Sequence, residues 1–455
     1  MSTNKLAYEK KTVYKRVSAE AVAKAFDYAE EYKKFIDAAK TERESVDEAI
    51  KLAVARGFKE YRLGDKISVG DKLYYNNRGK NLFLFTIGKE PLECGIRISA
   101  AHIDSPRIDL KQCPLYEDGG MSFFKTHYYG GIRKYQWLAL PLALHGVIVK
   151  SNGEKINVCI GEDECDPVFY INDLLPHLAH KQGKTPIDEA VDGEKLNILI
   201  GSMTENADDT VKDNILSILN EKYGITEEDF ISAELSAVPA GKARDLGFDR
   251  SMICAYGHDD RVCAFPALSA ILDCADSEHT LMCILADKEE TGSDGNSGMQ
   301  CEIMLDLMRE MSRELGANEA IVRANSKCLS ADVSAAYDPN FSDVFEKQNC
   351  AFMSCGAIFM KFTGARGKSS TNDASAEYIG WLRGILDRDN IVWQTGELGK
   401  VDCGGGGTVA KYIAKHNIDT IDLGVPLISM HAPFEVVSKV DVYETYRAIS
   451  AFNKY

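Results

Sequence analysis

Leu281-Met-Cys-Ile-Leu-Ala286, followed at once by Asp287-Lys-Glu-Glu-Thr-Gly-Ser293, is an apolar run that ends in two adjacent carboxylates. Six apolar residues bounded by charge and a glycine read as a buried strand. A strand that delivers acids at its carboxyl end is how an open α/β sheet builds a ligand site. Working outward, other apolar runs finish in the same way. Ile96–Ala101 runs into His102-Ile-Asp104, and strand-like Met252–Tyr256 leads to Gly-His-Asp259-Asp260-Arg261. Cys328–Ala331 ends at Asp332, and Leu427–Met430 ends at His431.

Around these ends the second half alternates. The spacing predicts helices over Arg261–Cys274, Asn296–Leu315, Ser375–Leu386, Thr408–Lys415 and Val440–Phe452. Strands are expected at Leu281–Ala286, Ala320–Val322, Cys328–Ala331, Thr420–Leu423 and Leu427–Met430, with Cys350–Phe362 extended and broken near Gly356. The first hundred residues hold two helices, one capped by Ser18 and one opening on the capping box Thr41-Glu-Arg-Glu44 and closing at Gly57, then strands Leu82–Ile87 and Ile96–Ala101. The fold class expected is α/β, a mainly parallel central sheet with helices on both faces. Between the halves the texture changes to β-forming lengths such as His145–Lys150, Ile156–Ile160 and Leu196–Ile200, with no dense acid or histidine motif. This reads as an inserted β-rich domain over 112–247, splitting a catalytic domain of 1–111 and 248–455.

The composition fits. A chain of 455 residues exceeds one ordinary core. A net charge of −16 argues against nucleic acid, which needs a basic footprint. No apolar run spans a bilayer and no secretory leader is evident. Thirteen cysteines lack zinc-finger or scaffold spacing, and several sit inside apolar runs, so a reducing cytoplasm is expected.

Each motif has a plainer reading beside the chemical one. His102 and Asp104 share a face of an extended segment, so His102 could bind a metal while Asp104 orients its ring; the pair could also be a simple hydrogen bond. Asp259, with Asp260 second, could bridge two cations or only answer a helix dipole, with Arg261 balancing charge. Of Glu289 and Glu290, one could ligate while the other takes a proton from water; a solvated acidic turn is the alternative. Asp332 and His431 taken singly would be a cap and a satisfied histidine. Together the five ends form a nitrogen and oxygen donor set suited to Zn2+, with Mn2+ or Co2+ as alternatives. The run Gly404–Gly407 lacks P-loop and Rossmann spacing; it allows close backbone approach to a substrate or is a turn. Arg366 and Lys368 could recognise a carboxylate or form a solvated loop.

These motifs, with Gly396-Glu-Leu-Gly-Lys400 and Ser429-Met-His-Ala-Pro-Phe-Glu435, resemble the aspartyl aminopeptidase family of metallopeptidases, bacterial branch, over nearly the whole chain. The resemblance implies two zinc ions per subunit. His102 and Asp332 would hold one, Glu290 and His431 the other, with Asp259 bridging. Glu289 would be the general base and Asp104 the group orienting His102. It implies hydrolysis of N-terminal residues from peptides, dimerisation through the insert and assembly into a dodecamer, with neither nucleic acid nor membrane as partner. Substrate contacts would fall to Arg366, Lys368, Gly405, Gly406 and His180, the last from the neighbouring subunit. Two departures are visible: Asp338-Pro-Asn340 replaces the eukaryotic His-Pro-Asn, and Pro176-His-Leu-Ala-His180 is one residue shorter than its counterpart. They leave the preference open between acidic and neutral N-termini. A dizinc deacylase or carboxypeptidase, and a non-catalytic oligomeric shell or cargo protein, are the rival expectations.

Overall fold

The structure, a computed structural model, describes Leu6 and residues 8–455. Contacts divide the chain into two units: 1–104 with 243–430 and 435–455, and 105–242 with 431–434.

The first unit is built on nine strands. Four of them, Thr280–Ala286, Ile96–His102, Lys327–Ser330 and Asp419–Gly424, lie side by side and parallel. Outside them the pairing is mixed. Asn81–Thr86 joins Thr280–Ala286 antiparallel, and Ala357–Met360 joins Asp419–Gly424 antiparallel. The sheet is therefore a mixed α/β sheet whose parallel part is its centre. Asn81–Thr86, Ile96–His102 and Thr280–Ala286 are buried along their whole length. That explains why they read as unbroken apolar runs, since helices cover both faces. Alternate side chains enter two cores. Leu82, Leu84, Leu281, Cys283 and Leu285 pack with helices Ala19–Ala38, Glu42–Ala55, His258–Leu272, Ala376–Arg388 and Lys439–Lys454. Phe83, Phe85, Met282, Ile284 and Ala286 pack with Ile303–Glu314, Glu319–Asn325 and Ala410–Ala414.

The local signals behave as read. Ser18 accepts from the Ala21 N–H, Thr41 and Glu44 form the reciprocal capping box, and Gly57 has φ +85° just past the helix. Two expectations differ from the structure. Ala320–Val322 is not a strand but part of helix Glu319–Asn325, opened by Asn318, whose side chain accepts from the Ala320 N–H. Of the apolar trio only Val322 is buried while Ile321 is 44% exposed, the one-sided burial of a helix. The helix expected from Asn296 starts only at Ile303; before it, the Ser297 hydroxyl donates to Asp287 at 2.6 Å and holds the chain in a turn. A smaller five-stranded sheet in the same unit carries Met252–Ala255 beside Glu435–Ser438.

The second unit is β-rich, with the antiparallel strand order Ala233–Pro239, Arg107–Asp118, Met121–Tyr129, Ile198–Gly201, Phe169–Ile171, Pro141–Val149, Lys155–Ile160. Ala233–Pro239 also pairs with Pro141–Val149, which closes the sheet on itself. Its span of 105–242 starts and ends a few residues before the 112–247 expected. Among the described residues no helix is long and apolar enough to cross a membrane.

Candidate metal centre

The parallel strands place the site. Ala286 is in register with His102, and Ala100 with Ser330, so the chain leaves all three strands at one end of the sheet. There His102, Asp259 and Asp332 bring one ligand atom each within 4.8 Å of one another, and all three are buried. His102, Glu289 and Glu290 form a second such group. The His102 Nε2 stands 3.1 Å from Asp259 and 3.9 Å from Glu289.

Asp104 organises this cluster. The His102 Nδ1–H points at its Oδ1, 3.3 Å away, and donates to its carbonyl at 3.0 Å, which leaves Nε2 toward the carboxylates. The same carboxylate accepts the backbone N–H groups of Glu289 (3.1 Å) and Glu290 (3.2 Å). Glu289–Thr291 is a single 3-10 turn between Lys288 at φ +70° and Gly292 at φ +98°. A tight turn fixed by two amide bonds presents both acids from adjacent positions. The sequence suggested Asp104 as a partner of His102; its hold on the Glu289–Glu290 turn was invisible there.

Asp259 and Asp260 lie at the start of helix His258–Leu272, where both have non-helical backbone angles and are joined by a cis peptide. Asp260 is fully buried beside Asp259, and burial, then the neighbouring carboxylate, pushes its carboxyl well above the usual range. Asp332 moves the same way, first from burial and then from Asp260, Glu289 and Asp259. Burial alone would lower His102, but Asp104 and Asp259 outweigh it and raise the imidazole well above its ordinary value. Buried acids that repel one another around one imidazole are what a bound cation relieves, and the nitrogen and oxygen donors suit zinc. The residues present fit the group. Arg261, also fully buried, donates to the carbonyls of Lys40, Ile103 and Tyr256.

His431 follows Met430 with φ +64°, and within the second unit its Nδ1–H donates to the Gly131 carbonyl at 2.8 Å. His177 and His180 are exposed in that unit. Asp338 is the N-cap of 3-10 helix Pro339–Val344. Lys368 is occupied by Asp373 at 3.0 Å and stacks over Phe362, whereas Arg366 is exposed at φ +48°. Gly405, at φ +128°, lies so close to Ala365 that a Cβ would stand 2.5 Å from its backbone. The bare backbone there admits the neighbouring loop. Gly406 is open, with its N–H donating to the Thr363 carbonyl at 3.1 Å. Sequence reasoning also missed Tyr32, His258 and Glu435. The Tyr32 hydroxyl lies 2.7 Å from the His258 Nδ1, and Glu435 accepts the Asp259 N–H at 3.0 Å. His258 and Glu435 sat unassigned inside quoted motifs, and Tyr32 had no signal beyond a helical apolar face.

Comparison with known proteins identifies the family. The family model for the aminopeptidase I zinc metalloproteases (M18) matches residues 35–453. A relative from Clostridium acetobutylicum, a probable M18 family aminopeptidase 1, is 50% identical over 99% of both chains. The crystal structure of an M18 aminopeptidase from Thermotoga maritima superposes with a TM-score of 0.93 at 43% identity, covering 98% of this chain and 100% of that one. The yeast mApe1 dodecamer, at 22% identity, TM-score 0.77, and 94% and 96% coverage, shares the fold. With buried zinc-type donors at the strand ends and a family match over nearly its whole length, the chain belongs to the M18 family of zinc metallo-aminopeptidases.

Proposed function

We propose that this aminopeptidase works with two divalent cations, His102 and Asp332 holding one, Glu290 and His431 the other, and Asp259 shared. The observation that carries the reading is the buried His102–Asp259–Asp332 group with Glu289 at its edge, 3.9 Å from the imidazole. Bound there, zinc would supply Lewis acidity, polarising the scissile carbonyl and making water more acidic.

The protein's own groups do the rest. Glu289 takes a proton from the attacking water and delivers it to the leaving amine nitrogen, a role suited to a carboxylate kept partly solvated next to buried ones. Asp104 holds the turn that aims Glu289 and fixes the ring of His102. Arg366, whose guanidinium is exposed while Lys368 is bound to Asp373, is the better partner for an acidic N-terminal side chain. The exposed His180 is the segment of the insert offered to a neighbouring subunit, and self-association into dimers and a dodecamer follows the family pattern. Thirteen unpaired cysteines suit a reducing cytoplasm.

The test is a panel of aminoacyl-chromophore substrates, Asp and Glu against Leu and Ala, each with free and acetylated amines and a defined zinc supply. Cleavage of free-amine substrates only is expected. Preference for the acetylated forms would replace this reading by a deacylase. A neutral preference would remove Arg366 from the substrate site. Glu289→Ala should retain zinc and lose about 10²–10⁴-fold in kcat, and loss of zinc would overturn its role as base.

A further inference from the structure

We infer that Tyr32 and Glu435 are positioning residues for Asp259, setting how that carboxylate meets the metal. The proposal rests on the metal-centre reading above. Asp259 needs such support because the helix it opens does not supply it. Gly257, the N-cap, is left-handed and has no side chain to cap with, and Asp259 has φ −77° and ψ 103°, far from helical. A backbone outside the helical ladder is free to turn its side chain unless other groups fix it, and the first N–H groups of a helix lack internal acceptors.

Two other groups fix it. The carboxylate of Glu435, 1% exposed, takes the Asp259 N–H at 3.0 Å. Glu435 is itself set by strand pairing opposite Ala255, four residues before Asp259. On the preceding residue, the fully buried Tyr32 donates its hydroxyl proton to the His258 Nδ1 at 2.7 Å, and the His258 Nε2–H donates to the Ile253 carbonyl at 3.3 Å. Both ring nitrogens are used, so the ring cannot flip or swing. The corner is thereby anchored at its backbone and at its neighbouring side chain, from helix Ala19–Ala38 and from strand Glu435–Ser438. Glu435 acts on Asp259 through its backbone N–H, and Tyr32 acts through the adjoining His258. Groups that orient a metal ligand in this way tune affinity by about 10–100-fold when removed.

The experiment titrates the purified full-length chain, stripped of metal, with Zn2+ alone against a chromophoric chelator, and records the visible spectrum with Co2+ alone. Glu435→Ala should weaken the tighter zinc step by about 10–100-fold and shift the cobalt bands, and Glu435→Gln, which keeps an acceptor for the Asp259 N–H, should recover most of both. Tyr32→Phe, the loss of one oxygen, should weaken zinc by roughly 2–10-fold, the worth of one hydrogen bond. Should Glu435→Ala fail to fold, Tyr32→Phe and Glu435→Gln decide. Wild-type affinity and cobalt spectrum in Tyr32→Phe and Glu435→Ala would overturn the proposal, as would equal losses in the Gln and Ala variants. A wild-type chain that takes up no zinc would instead overturn the metal-centre reading.

Discussion

Gly424→Ala is the substitution that tests how tightly the sheet holds Asp332. A Cβ at Gly424 would lie 1.9 Å from the Asp332 carbonyl oxygen, 2.6 Å from its carbonyl carbon and 3.0 Å from its nitrogen. Ordinary contact begins at 3.4 Å, so one of the two chains must move by roughly 1.5 Å. The glycine cannot easily retreat. It ends the buried strand Asp419–Gly424, is paired with Ile358, and its carbonyl accepts from the Thr445 hydroxyl at 3.3 Å. Asp332 is the side that yields, and a misplacement of about 1 Å at such a group costs on the order of 10²-fold in rate. The general cost of overpacking, ~1–3 kcal/mol, should leave a folded enzyme. We expect Gly424→Ala to lose about 10²-fold in kcat and to bind zinc more weakly, with circular dichroism unchanged. The assay is steady-state kinetics under zinc-buffered conditions, paired with chelator titration and a melting curve. Wild-type zinc affinity and kcat in a folded Gly424→Ala protein would refute the reasoning.

Three further outcomes follow from other residues. Burial pushes the Asp422 carboxyl up to about 6, while the Thr408 hydroxyl, 2.7 Å away, opposes the shift. A raised folded value means that the native state holds the proton more tightly, so this group's contribution is full below about 4 and is lost as pH rises through 6. Asp422→Asn, which keeps an acceptor for Thr408, should therefore stabilise by ~3 kcal/mol at pH 8 and by almost nothing at pH 4, and a pH-independent difference in melting would contradict this. Asp104→Ala removes the acceptor of two amides and the orienting partner of His102; zinc affinity should fall about 10–100-fold and kcat with it, and a change in KM alone would speak against the assignment. Gly405→Ala places a methyl group in the backbone of Ala365 at a positive φ, so the loop should loosen and show faster proteolysis, with zinc content unchanged; wild-type resistance would show that the crossing is not needed.

The legible parts of this protein are those whose cause is local. Ser18 and the Thr41–Glu44 box announce helices because capping is settled within four residues. Strand ends bearing His102, Glu289 and Asp332 are legible because a strand buried on both faces must be apolar until it meets the site. Ala320–Val322 misleads because three apolar residues cannot carry a period, and the Asn318 cap settles the matter. Tyr32, Glu435 and Gly424 were unreadable for another reason. Each acts on a residue far along the chain, and nothing near it in sequence names the partner. The same holds for the approach of Ala365 to Gly405, which nothing near either residue in sequence marks.

The parallel pairing of Ile96–His102 with both Thr280–Ala286 and Lys327–Ser330 also dictates when the candidate site can form. His102 emerges from the ribosome long before Asp332, and the strands between which it settles are contributed by sequence on the far side of the insert. Such non-local pairing is slow to form because chain entropy must be lost before any contact rewards it. The donors of the candidate site therefore come together only after the distant strands have closed on the first. A half-made chain carries these donors only scattered along its length.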